Sequence, residues 1–144
     1  MSATTSVISR FINYYAELDI QPPSALVELY DPGATLVDPF GKHEGLPAIE
    51  RYFSCLLANV VYCRFSVDPP ICHNHRVVVT WTMRWSHPRI AGGEALALEG
   101  CSLVDIQNNL IVRQRDYYDA GEMIYERIPF LGCAVRAVKR RVRS

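Results

Sequence analysis

Residues Arg76–Ser86 constrain this chain more than any other stretch. Val77, Val79, Trp81, Met83 and Trp85 occupy alternate positions, with Arg76, Val78, Thr80, Thr82, Arg84 and Ser86 between them. Side chains alternate across a strand, so one face of this segment is wholly apolar and carries two tryptophans and a methionine. Such a face has to be covered by other elements. Bulky aromatics and a flexible thioether suit either a plain core or the wall of a cavity for a flat apolar ligand. Val79, Trp81 and Met83 are the candidate wall residues.

Further strands are expected at 60–68, closed by Pro69-Pro70, and at 94–106 and 110–118, joined by the turn Gln107-Asn108-Asn109. The first half reads differently. Ile8, Phe11, Ile12, Tyr15 and Leu18 recur at helical spacing over 5–19, with Ser6 or Thr5 as a cap and Tyr14 on the flank of the stripe. A short helix is expected over 24–30, a turn at Asp31-Pro32-Gly33, a strand over 34–38 and a polar loop over 40–45 containing His43. Leu46-Pro47 opens another helix, with Ile49, Tyr52, Phe53, Leu56 and Leu57 on its buried face. From Gly121 the pattern is helical again, broken at Pro129 and resumed from Leu131. The sum predicts an α+β fold: a cone-shaped, strongly curved antiparallel sheet packed on N-terminal helices, with a C-terminal helix. The mouth of such a cone is a natural ligand pocket.

The chain's 144 residues suit one domain, expected over 1–132, followed by a tail over 133–144. Net charge is zero but unevenly placed: residues 136–144 carry +5 and the remainder −5. A uniformly basic nucleic-acid binder has no such distribution, so no specific nucleic acid is expected. The tail's apolar residues alternate with arginines at helical spacing. That pattern fits a cover over the body, a cover over a partner's surface or a weak contact with an anionic membrane surface. Five dispersed cysteines without a CxxC pair, and no signal peptide, point to the cytosol. His73 and His75 lack a third ligand, so no metal is expected. No glycine-rich phosphate cradle is present, and no cofactor is expected.

Two carboxylates stand out. Asp38 ends an apolar run, Thr35-Leu36-Val37-Asp38-Pro39-Phe40-Gly41, which places it either in a turn or at the edge of a dry space. In Arg113-Gln114-Arg115-Asp116-Tyr117-Tyr118, Asp116 shares a face with Gln114 and Tyr118. It would serve as a second buried acid, as a salt-bridge partner, or as a helix cap.

The order of elements resembles the nuclear transport factor 2-like superfold, and within it the SnoaL-like and ketosteroid isomerase-like family. The resemblance rests on Leu29 through Gly41, on Gly45-Leu46-Pro47-Ala48-Ile49 and on Arg115-Asp116-Tyr117-Tyr118-Asp119. It implies Asp38 as a proton-shuttling base, Tyr14 as an oxyanion donor, Asp116 as an acid/base group, and Trp81 and Met83 as pocket residues. The isomerase's second oxyanion donor, a protonated aspartate, falls at Ser102 in this chain, or at Cys101 if the hairpin is aligned differently, and neither is a carboxylic acid. With Tyr118 and Phe40 these complete the expected substrate-binding set. The resemblance also implies a homodimer through the outer sheet face. The function expected is cofactor-free isomerase, cyclase or dehydratase chemistry on an apolar carbonyl compound. The alternatives are a non-catalytic binder of a hydrophobic small molecule and a dimeric interaction module.

Overall fold

The computed structural model describes residues 3–128 and 130–144, with side chains from residue 6 onward. The break expected at Pro129 and the capping side chain of Thr5 therefore lie outside the described residues. Helix α1 runs over Ala3–Ala16, and the chain then makes two short tight helical turns, Leu18–Ile20 and Pro23–Glu28. Ser6 lies inside α1 rather than capping it, and its Oγ accepts from Arg10 at 2.9 Å. Strands β1 (Tyr30–Asp38) and β2 (Gly41–Glu44) form a hairpin, and α2 follows over Leu46–Leu57.

The second half is a meander: β3 (Tyr62–Val67), β4 (Ile71–His73), β5 (Arg76–Ser86), β6 (Leu96–Gln107) and β7 (Leu110–Tyr118). Helix α3 (Ala120–Met123), a further tight turn at Tyr125–Arg127, and α4 (Leu131–Arg143) complete the chain.

The strands form one sheet in the order β2-β1-β7-β6-β5-β3, with β4 also on β5. All pairings are antiparallel except β1 with β7, which is parallel. The helices and turns cover the face that carries Val77, Val79, Trp81, Met83 and Trp85, all buried. On the outer face of β5, Arg76, Thr80 and Arg84 bond to polar groups of neighbouring segments, as in the Arg76–Asp105 pair at 2.8 Å.

Two further expectations change. Asp31-Pro32-Gly33 is not a turn between helix and strand but part of β1. The parallel register shifts between Tyr30 and Thr35, so the turn-forming residues sit in an irregularity of the strand. The loop over 40–45 is largely β2, because its backbone groups pair with β1 from Thr35 to Asp38. Among the described residues, no helix is long and apolar enough to cross a membrane.

Candidate functional site

Asp38 is the last residue of β1, and its two oxygens do different work. Oδ1 accepts the backbone N–H groups of Phe40 at 2.8 Å and Gly41 at 3.1 Å, which makes the turn into β2. Oδ2 accepts the Tyr52 hydroxyl from α2. The turn thus fixes the carboxylate's direction, and α2 brings the phenol to it. The His43 ring lies on the other face of Tyr52, with centroids 3.9 Å apart. Burial first, then the bond to Asp38, push the Tyr52 phenol far above its ordinary range, so it stays protonated and donates. Tyr52→Phe is expected to leave a largely buried carboxylate oxygen without its donor. That costs about 1–3 kcal/mol, read as a lower urea midpoint with an unchanged slope.

Asp116 lies on β7 facing inward. Its Oδ1 accepts from Ser102 Oγ at 2.6 Å and from Gln114 Nε2 at 2.8 Å. Ser102 itself accepts from the Trp81 indole N–H at 3.0 Å, so the tryptophan, serine and carboxylate form a directed chain of donors. Gln114 is wholly buried. Its Oε1 accepts from the Tyr30 hydroxyl at 2.5 Å, while Tyr15 and Tyr30 stand 2.9 Å apart, oxygen to oxygen. Since Tyr30 gives its proton to Gln114, Tyr15 is the donor in that pair. The network leaves Asp116 Oδ2 without a hydrogen bond from any described residue. Burial, opposed by the two donors and assisted by the nearby Asp38 charge, pushes the Asp116 carboxyl up to about 6. A carboxyl there exists in both protonation states near neutrality, the condition for a general acid or base.

These groups meet at a small cavity. Tyr15, Leu36, Asp38, Tyr52, Phe53, Phe65, Trp81, Met83, Asp116, Tyr118 and Met123 are among its lining residues, and its volume is about 50 Å³. A second space of about 460 Å³ reaches the same two carboxylates from outside, bordered by Pro39, Arg115, Tyr117 and Tyr118. It opens where β1 ends: the last β1–β7 pair is Val37 with Arg115, so Asp116 to Tyr118 have no β1 neighbour.

Of the residues anticipated from the sequence, Asp38, Asp116, Trp81, Met83 and Tyr118 line the cavity. Ser102 lies beneath, holding Asp116. Three do not face it. Val79 is buried in the core. Phe40 is on the outside against Tyr118, with centroids 6.1 Å apart. Tyr14 gives its hydroxyl to the Pro22 carbonyl at 3.2 Å. Consecutive helical residues point about 100° apart, so with Tyr15 facing the cavity, Tyr14 cannot do so. Tyr52, Gln114 and Tyr30 were not foreseen as part of the site. The available signal was a buried tyrosine on α2, because a buried phenol needs a partner. Among the described residues no group of three or more potential metal ligands comes together.

The profile of a family described as a SnoaL-like domain matches residues 10–114. A search of curated proteins finds no match. Among solved structures, a hypothetical protein of ketosteroid isomerase-like fold from Catenulispora acidiphila, in complex with trimethylamine, superposes with a TM-score of 0.73 at 15% identity. That match covers 84% of this chain and 90% of that one. A protein described as a candidate SnoaL-like polyketide cyclase from Jannaschia gives 0.70 at 13% identity, over 81% and 85%. TerC, co-crystallised with polyporic acid, gives 0.69 at 17% identity, over 82% and 92%.

Proposed function

The chain belongs to the SnoaL-like domain family, and from that membership we propose that it is a cofactor-free acid/base enzyme for an apolar carbonyl compound. Asp116 is the carboxylate that moves the proton. The observation that carries this reading is its setting. One oxygen is fixed by Ser102 and Gln114, the other is unclaimed, and the walls are Trp81, Met83 and Phe65. An ionised Asp116 takes a C–H proton next to the carbonyl and returns it at another carbon, which amounts to isomerisation. Cyclisation or dehydration follows if the enolate attacks a second group or expels one. The Tyr118 hydroxyl, on the cavity wall beside Tyr52, is the donor to the developing enolate oxygen. Asp38 holds Tyr52, and its charge adds to the basicity of Asp116. TerC, which shares the fold, was co-crystallised with polyporic acid, and this supports an organic small molecule as the ligand.

A cavity of about 50 Å³ is far below the roughly 300 Å³ of the smallest ordinary ligand pockets. Binding in this reading therefore displaces side chains, and the thioethers of Met83 and Met123 are the adaptable ones. The test is α-hydrogen exchange: a panel of apolar aryl and polycyclic ketones in D₂O, followed by proton NMR. Loss of the signal next to the carbonyl is expected with the wild type and not with Asp116→Asn. Ketones that quench Trp81 emission while none exchanges would mean a binder without catalysis, and would overturn the enzyme reading.

A further inference from the structure

The cavity leaves one large feature unused, the C-terminal helix. Among the described residues, helix α4 is held to the body along one side. Gly132 packs against the Glu126 carbonyl, Val135 lies over Gly121, and Lys139 bridges Asp119 and Glu126. Arg136 adds a bond to the Glu126 carbonyl at 2.5 Å. Leu131, Val138 and Val142 recur at spacings of seven and four along the side next to that contact, with Val135 at the edge between the two, and span roughly 17 Å at about 1.5 Å per residue. That stripe is bare: Leu131 is 44% exposed, Val138 64% and Val142 82%. Phe130, immediately before it, is 89% exposed and sits at φ +68°. A bulky residue in that backbone region is strained, and its ring gains nothing from the fold.

Charge decides what the stripe fits. The last nine residues carry +5 with no acid. Arg141 and Arg143 fall on either side of the stripe by helical position, and neither has an ion pair or side-chain hydrogen bond to a described residue. An apolar stripe flanked by unpaired arginines is the pattern of a helix lying in a membrane interface. A second copy docked stripe to stripe would set +5 against +5. We propose that α4 with Phe130 lies flat on an anionic lipid surface, the valine stripe toward the acyl chains and Arg141 and Arg143, on either side of it, on lipid phosphates. The proposal stands apart from the cavity chemistry.

Flotation of the full chain tests it, with vesicles of phosphatidylcholine containing phosphatidylserine against phosphatidylcholine alone. The protein is expected to float with the anionic vesicles at low salt and to be released by high salt. Arg141→Glu/Arg143→Glu should weaken binding by about fivefold or more per residue. Val138→Asp/Val142→Asp, both at exposed positions, should reduce the bound fraction at least as much with an unchanged thermal melt. Equal flotation on both vesicle types, none at low salt, or undiminished binding by the valine variant would each overturn the proposal. So would a dimer in solution that dissociates with the valine substitutions, which would assign the stripe to a second copy.

Discussion

Asp116→Asn is expected to melt at a higher temperature than the wild type at about pH 8, and to lose acid/base turnover in the same step. The reason is linkage. The folded protein raises this carboxyl from its ordinary 3.8 to about 6, chiefly by burial. Between those two values the folded chain therefore holds more protons than the unfolded one. The stabilisation from the protonated group is fully present below about 3.8 and is lost as pH rises through about 6. At neutral pH the wild type carries a buried charge worth up to about 3 kcal/mol against folding. Asparagine removes that charge, and its carbonyl oxygen still accepts from Ser102 and Gln114. The expected gain is on the order of 5–10 °C at about pH 8, shrinking to nothing near pH 4. Turnover should fall by about 10²–10⁴-fold. Melting curves across pH read the first effect, and α-hydrogen exchange reads the second. A variant no more stable than wild type at high pH would show that Asp116 is not a desolvated carboxylate, and the base would have to be Asp38.

Gly100→Ala should be among the most damaging single-methyl additions in the sheet. Gly100 faces Trp81 across the β5–β6 ladder. A Cβ there would come within 2.4 Å of the indole Cη2, 2.6 Å of Cζ2 and 2.8 Å of the Tyr117 carbonyl. The carbonyl is backbone and cannot swing aside. The ring is pinned by Phe65, with centroids 5.0 Å apart, and by its bond to Ser102. Overpacking of this kind costs about 1–3 kcal/mol. Moving the indole also disturbs Ser102 and, through it, Asp116. The variant should show a lower urea midpoint and an altered tryptophan emission. Trp81→Phe removes the ring atoms that clash, so the double variant should be less destabilised than the sum of the two singles. Strict additivity would mean that the close approach of Gly100 and Trp81 does not govern this position.

The alternation in Arg76–Ser86 and Leu110–Tyr118 marked both strands to the residue, because a strand buried on one face writes its period into the sequence. Where polar and turn-forming residues prevail, that signal vanishes. Lys42, His43 and Glu44 pair with β1 through backbone groups, and their side chains carry no record of it. Asp31-Pro32-Gly33 has the composition of a turn and sits in a strand irregularity instead, since the neighbouring β7 holds the chain on both sides of it. Pairing between distant strands overrides local preference when the ladder supplies the missing partners.

For the site, the two carboxylates and the apolar wall could be read from the chain, as could the α+β layering and the covered face of β5. A carboxylate at the end of an apolar run and another on an inward face are local facts. Which groups answer them is not local. The choice of Tyr15 over Tyr14 depends on the rotation of α1 against the sheet, a matter of one residue in a helix. The bond from Tyr52 to Asp38 depends on α2 crossing the end of β1, and the hold of Gln114 and Ser102 on Asp116 depends on the β6–β7 register. The sequence by itself determined which face is dry and where the acids lie, because burial periodicity is carried by neighbours along the chain. The tertiary structure alone decided how those acids are held, how small the cavity is and that α4 keeps a bare stripe. Each of these is set by contacts between elements far apart in sequence, and no local pattern records them.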